Sequence, residues 1–165
     1  MKHVRRASLG LILTLLAGVA AAEERALAGG GGAGFGGPLG AAVTGELLYG
    51  LRADVRDDGD RFKGVAGLLV QVQAGSGGGK LSLGVVGRGR VEAEDFKGSL
   101  GAGLKLSLAR TWGSPVGTGS GLTYLGPELD LSAMHVALTL GPLFRVGGGA
   151  SGGAVLFSWG LGFRF

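Results

Sequence analysis

The sequence predicts an all-β fold, an antiparallel up-and-down β-barrel of eight strands behind a cleaved N-terminal leader. Three observations predict it. Residues 40–165 break into segments of about 10 to 16 residues in which apolar and polar side chains alternate, the period of an extended strand. The segments are separated by Gly, Asp and Ser clusters such as RDDGDR, GSGGG and GGGASGG, which is turn chemistry. After residue 22 no window of 18 consecutive apolar residues occurs, so no helical membrane span follows the leader.

Composition narrows the classes further. The chain has 165 residues, 38 of them Gly, yet 45% are hydrophobic, too many for a charged disordered tail. Cys is absent, which removes disulfide frameworks, thiol catalysis and Cys-ligated zinc. His3 and His135 are the two histidines, too few for a multi-histidine metal site, and no cofactor is expected. Residues 1–22 carry Lys2, His3, Arg5 and Arg6, then an apolar run over 9–20, then Ala20, Ala21 and Ala22: the three parts of a signal peptide cut after Ala22. Cleavage leaves 13 basic against 12 acidic residues, so net charge does not point to nucleic acid. The organisation read from the chain is a signal peptide (1–22), a glycine-rich segment that includes a weak first strand (23–39) and the barrel (40–165).

Seven strands are legible in order. Residues 43–55 set Val43, Leu47, Tyr49, Leu51 and Val55 against Thr44, Glu46, Arg52 and Asp54, with Leu48 out of pattern. Residues 62–74 set Phe62, Ala66, Leu68, Val70 and Val72 against Lys63, Gln71 and Gln73, and residues 80–91 set Leu81, Leu83, Val85 and Val91 against Lys80, Ser82, Arg88 and Arg90. Residues 96–112 place Leu100, Leu104, Leu106 and Leu108 opposite Lys97, Ser99, Lys105 and Ser107. Residues 123–133 oppose Leu125, Leu129 and Leu131 to Tyr124, Glu128, Asp130 and Ser132, and after a break near Met134 residues 135–146 oppose Val136, Leu138, Leu140 and Phe144 to His135, Thr139 and Arg145. The last run alternates Val155, Phe157, Trp159, Leu161, Phe163 and Phe165 with Leu156, Ser158, Gly160, Gly162 and Arg164. An even number is expected of a bacterial membrane barrel. The eighth strand then falls in 27–37, with a mis-split segment or an N-terminal plug as the other origins of an odd count.

Residue size decides which face is inside. The interior of a small closed barrel is volume-limited, whereas a face turned to lipid is not. Gly84, Ser99, Gly101, Gly103, Ser107, Gly160 and Gly162 lie on the polar face while Leu, Val and Phe crowd the apolar one. The polar face is therefore read as the inside and the apolar face as lipid-facing, which makes the barrel a transmembrane one; the reverse polarity would make it a secreted soluble barrel that binds a small apolar ligand.

The closing run, with Phe157, Trp159, Leu161, Phe163 and the final Phe165 at every second position, resembles the C-terminal signal strand of small Gram-negative outer-membrane β-barrel proteins. That resemblance implies an outer-membrane location, contact with outer-membrane lipid and lipopolysaccharide, recognition of residues 155–165 by the barrel-assembly machinery, and both termini on the periplasmic side. Strand directions counted back from Phe165 place Trp112, Phe144 and Phe157 near the outer end and Phe62, Phe96, Phe163 and Phe165 near the periplasmic end, two aromatic belts of the kind that anchor at membrane interfaces. Tyr49, mid-strand, does not fit. The longest connection, residues 113–121, falls outside. Arg110, near the outer belt, reads as a solvated loop-end charge or a partner for lipopolysaccharide phosphates.

Eight strands leave an interior just wide enough for side chains to fill. The inward charges Glu46, Arg52, Asp54, Arg88, Arg90, Lys105, Glu128, Asp130 and Arg145, with Lys63, Glu92 and Arg164, are of both signs, and enclosed charges need partners. An internal ion-pair network centred on Asp130, Glu128, Arg88, Arg90 and Arg145 is expected, with a narrow water or proton path as the alternative. Some small outer-membrane barrels hydrolyse lipid A acyl groups with Ser, His and an acid. After residue 22 His135 is the one histidine to serve as base; the position two residues on is Ala137, and Ser132, three residues before, falls on the opposite strand face. The Gly clusters at 29–34 and 147–153 lack the Lys-Ser or Lys-Thr of a phosphate loop. The reading is a monomeric barrel with a structural or surface-interaction role, without enzymatic activity.

Overall fold

The computed structural model of the chain describes residues 25–57, 60–93, 96–113, 119–149 and 152–165; the leader expected over 1–22 lies outside them. Eight antiparallel strands close into one barrel in sequence order: β1 (Arg25–Gly37), β2 (Gly40–Asp57), β3 (Asp60–Gly75), β4 (Gly78–Ala93), β5 (Phe96–Thr111), β6 (Thr123–Ala133), β7 (Val136–Gly147) and β8 (Val155–Arg164). The barrel thus begins inside the glycine-rich segment, and β1 is the strand that the odd count required. It closes on β8 from Gly32↔Arg164 to Gly37↔Trp159.

Glycine makes that seam close. Gly34 and Gly162 face each other across it, and a Cβ added at Gly34 would stand 2.6 Å from the carbonyl oxygen of Leu161. Glycine weakens an isolated strand, but here the missing Cβ lets two backbones coil together at a corner.

The register fixes the tilt. Followed once around from Gly36 through Gly160, Thr139, Asp130, Gly103, Val86, Gly67 and Gly50, the pairing returns to Ala26, ten residues back along β1. A stagger of ten on eight strands tilts them roughly 42°, against ~36° for a stagger of eight. The stagger also makes the wall uneven. β5 runs on past Ala133, the last residue of β6, and β1 runs on past its last contact with Phe165. At the end that carries Arg25 and Phe165, β2 to β5 stand roughly 15–20 Å beyond β6 to β8.

Side chains sort cleanly by face. The outer wall exposes Leu68 (63%), Leu83 (56%), Leu104 (63%), Leu161 (55%) and Phe163 (66%). Inside, three layers stack. At the end bearing the β5–β6 loop, Ala109, Leu122, Tyr124 and Leu143 form an apolar cap with Leu156 against it. The loop base makes that cap: Gly121, at φ +73, donates to the Thr111 carbonyl at 2.8 Å, and the Leu122 N–H donates to Thr111 Oγ1 at 3.1 Å. These bonds turn Leu122 inward. Below the cap lies a charged layer, and below that Leu48, Leu69 and Val86 pack with Val65. Leu48, out of pattern in the sequence, is an inward residue 5% exposed.

Candidate functional site

The charged layer is built from inward positions of six strands. On β6, Glu128 and Asp130 are 0% and 1% exposed. Lys80 Nζ from β4 donates to Glu128 Oε1 at 2.8 Å, and Ser158 Oγ from β8 reaches the same oxygen at 2.5 Å. Ser107 Oγ gives its proton to Glu128 Oε2, so Ser82, 2.7 Å from Ser107, must be the donor of their shared bond. Asp130 accepts from Lys105 Nζ at 3.0 Å and, in a bidentate fork, from Arg164 at 2.7 and 2.6 Å. Arg88 forks onto Glu46, Gln71 Nε2 donates to Glu46 Oε2 at 3.1 Å, and Lys105 Nζ donates to Gln71 Oε1 at 2.7 Å. Burial of charge is tolerated where every lone pair and proton finds a partner, and such a network then specifies one packing.

Of the residues expected in the lumen, the structure brings together Glu46, Arg88, Lys105, Glu128 and Asp130. Arg90, placed at the centre by sequence, is exposed toward the terminal end. Arg52 and Asp54 are also exposed there, and Asp54 lies 4.0 Å from Lys63. Arg145, the other residue misplaced at the centre, sits at the loop end and donates to the carbonyls of Gly149 and Gly152 at 3.4 and 2.9 Å. The stagger explains these shifts, because equal distances from a turn on different strands are different heights in the barrel. Sequence reasoning missed Lys80 and left Arg164 off the centre, since both pair across the lumen with β6 rather than with a neighbouring strand. Gln71, Ser82 and Ser158 were legible only as polar alternates.

His135 is in the β6–β7 turn, exposed, with Nδ1 3.2 Å from the Arg164 carbonyl oxygen. Ser132 faces Ala137 across the β6–β7 pair. Arg110 is exposed on the outer wall near the loop end and donates to Thr123 Oγ1 at 3.0 Å. Among the described residues no cluster of three or more His, Asp or Glu is arranged to hold a metal.

Most aromatic residues of the outer wall lie toward its two ends, while Phe35 and Trp159 pair edge to face along the seam between them. Trp112, Phe144 and Phe157 are exposed toward the loop end, and Phe163 and Phe165 toward the other. Tyr49 is mid-strand in β2, yet the stagger lowers it to within roughly 5 Å of the level of Phe165. Its hydroxyl accepts from Arg25 Nη1 at 3.3 Å. The expectation that Phe62 and Phe96 stand beside Phe165 is corrected by the same stagger, which carries their backbone roughly 15 Å farther out. Their side chains lie outside the described ones.

No family model, curated protein or solved structure matches the chain.

Proposed function

We propose that the chain is an integral β-barrel of the Gram-negative outer membrane, with a sealed, side-chain-filled lumen and a structural or surface-interaction role. The observation that carries the reading is the inverted polarity of the wall. From Val155 to Phe165 the outward side chains of β8 are all apolar, and ten residue steps at this tilt span about 25 Å, the height of the apolar band of membrane barrels. Among the described side chains the outward charges are Arg25 and Arg110, both at the rims. A water-soluble barrel with so many exposed Leu, Val and Phe side chains would present apolar patches far beyond those of soluble monomers. The interior argues against the soluble alternative as well, because a charged, filled lumen offers no apolar ligand a place.

The apolar cap and the charged layer below it block a continuous path for ions from one end of the lumen to the other, so the role is one of wall and surface rather than of conduction. The test is migration in detergent gels. The refolded protein should run at a different apparent mass unheated and boiled and should partition with outer-membrane vesicles; identical migration together with recovery in the soluble periplasmic fraction would refute the reading.

A further inference from the structure

We infer that the lumen holds a binding site for one small monovalent anion, of the size of chloride, between the charged layer and the glycine seam. Among the described enclosed residues, four cations (Lys80, Arg88, Lys105 and Arg164) meet three carboxylates (Glu46, Glu128 and Asp130). One positive charge is left over in a layer whose Lys80 and Lys105 are almost wholly buried and whose Arg88 and Arg164 are largely so, and an unbalanced charge is more costly there than in water. Beside the network is a cavity of about 50 Å³. A water needs roughly 10–15 Å³ on this scale, so the space suits one small ion and its waters.

The lining matches the surplus. Among the described residues, Lys80 and Arg164 are the ionisable side chains on the cavity wall, Thr44, Gln73 and Thr139 are neutral polar ones, and no carboxylate lines it. Lys80 has three N–H donors and uses one on Glu128. The wall opposite is Gly34, Gly36, Gly160 and Gly162, so the space exists because four inward positions have no side chain. Gln73 Oε1 is buried without a hydrogen-bond partner while its Nε2 donates to Thr44, so this oxygen calls for a donor, such as a water, inside the cavity. A water held by the anion supplies that donor. The site rests on the lumen geometry alone and stands whichever medium surrounds the outer wall.

The experiment is thermal unfolding of the folded wild-type chain in sodium chloride and in sodium gluconate at equal ionic strength, gluconate being too large for the cavity. The midpoint should rise with chloride concentration, by about 5 °C from 1 to 300 mM, and stay level in gluconate. Gln73→Glu places a carboxylate opposite its cross-strand partner Lys80. That variant should be as stable in gluconate as the wild type is in chloride and should lose the chloride response. Equal wild-type midpoints in the two salts overturn the proposal, and so does a folded Gln73→Glu chain that still responds to chloride. Crystals soaked in bromide provide an independent reading: anomalous density between Lys80 and Thr139 supports the site, and its absence at saturating bromide sinks it.

Discussion

Glu128 shows what a single residue contributes to this barrel. It is enclosed and accepts from Lys80, Ser107 and Ser158, so its carboxylate holds β4, β5 and β8 to β6. Glu128→Gln removes the charge that compensates Lys80 and leaves a buried cation unpaired, which should cost about 3–5 kcal/mol. Arg90→Gln, at an exposed position of similar sequence character, should change stability by no more than about 0.5 kcal/mol. Urea titration of the two folded variants checks the contrast; equal losses would mean that the centre of the network is elsewhere. Both residues were legible as inward-facing from the alternation alone. Their different weights were not, because weight depends on height in the lumen, and one strand's pattern carries no height.

At the scale of the element, β1 and β8 share the most demanding task, since they join the two ends of the sheet. The inward face of β1 from Gly30 to Gly36 is Gly at every position, which reads in sequence as a poor strand and in the fold as the place where backbones must approach. Gly34→Val should therefore block closure although Val is the better strand former. Its folded, fast-migrating band should be lost from unheated gels, whereas Gly45→Val, an outward position with open space around it, should keep that band. Phe165 completes the seam through two backbone bonds with Gly31, each 3.0 Å. Its deletion removes them along with the terminal aromatic of the proposed assembly signal. Unassembled protein should accumulate in the periplasm, measured by protease sensitivity after fractionation, and a fully protected barrel without Phe165 would count against that signal.

For the whole molecule the decisive property is which way the apolar face looks. Spin labels at Leu83, Leu104 and Leu140, all outward, should report collisions with oxygen dissolved in acyl chains and little contact with a water-soluble relaxer; the opposite result would overturn the membrane reading. Planar bilayers containing the wild-type chain should show no steady current, because the cluster of Leu122, Tyr124 and Leu143 packs inside the lumen above the charged layer. The sequence by itself determined the strand class and the two faces of seven strands, because alternation and turn residues are local properties with a fixed period, while the eighth strand in the glycine-rich segment was expected from the even count of the class that the closing run resembles. Only the tertiary structure decided the stagger of ten residues, and with it the level of Tyr49, the partners of Lys80 and Arg164, and the cavity beside the seam. Those depend on how the two ends of the sheet meet, and closure of a cylinder is a condition on all eight strands at once.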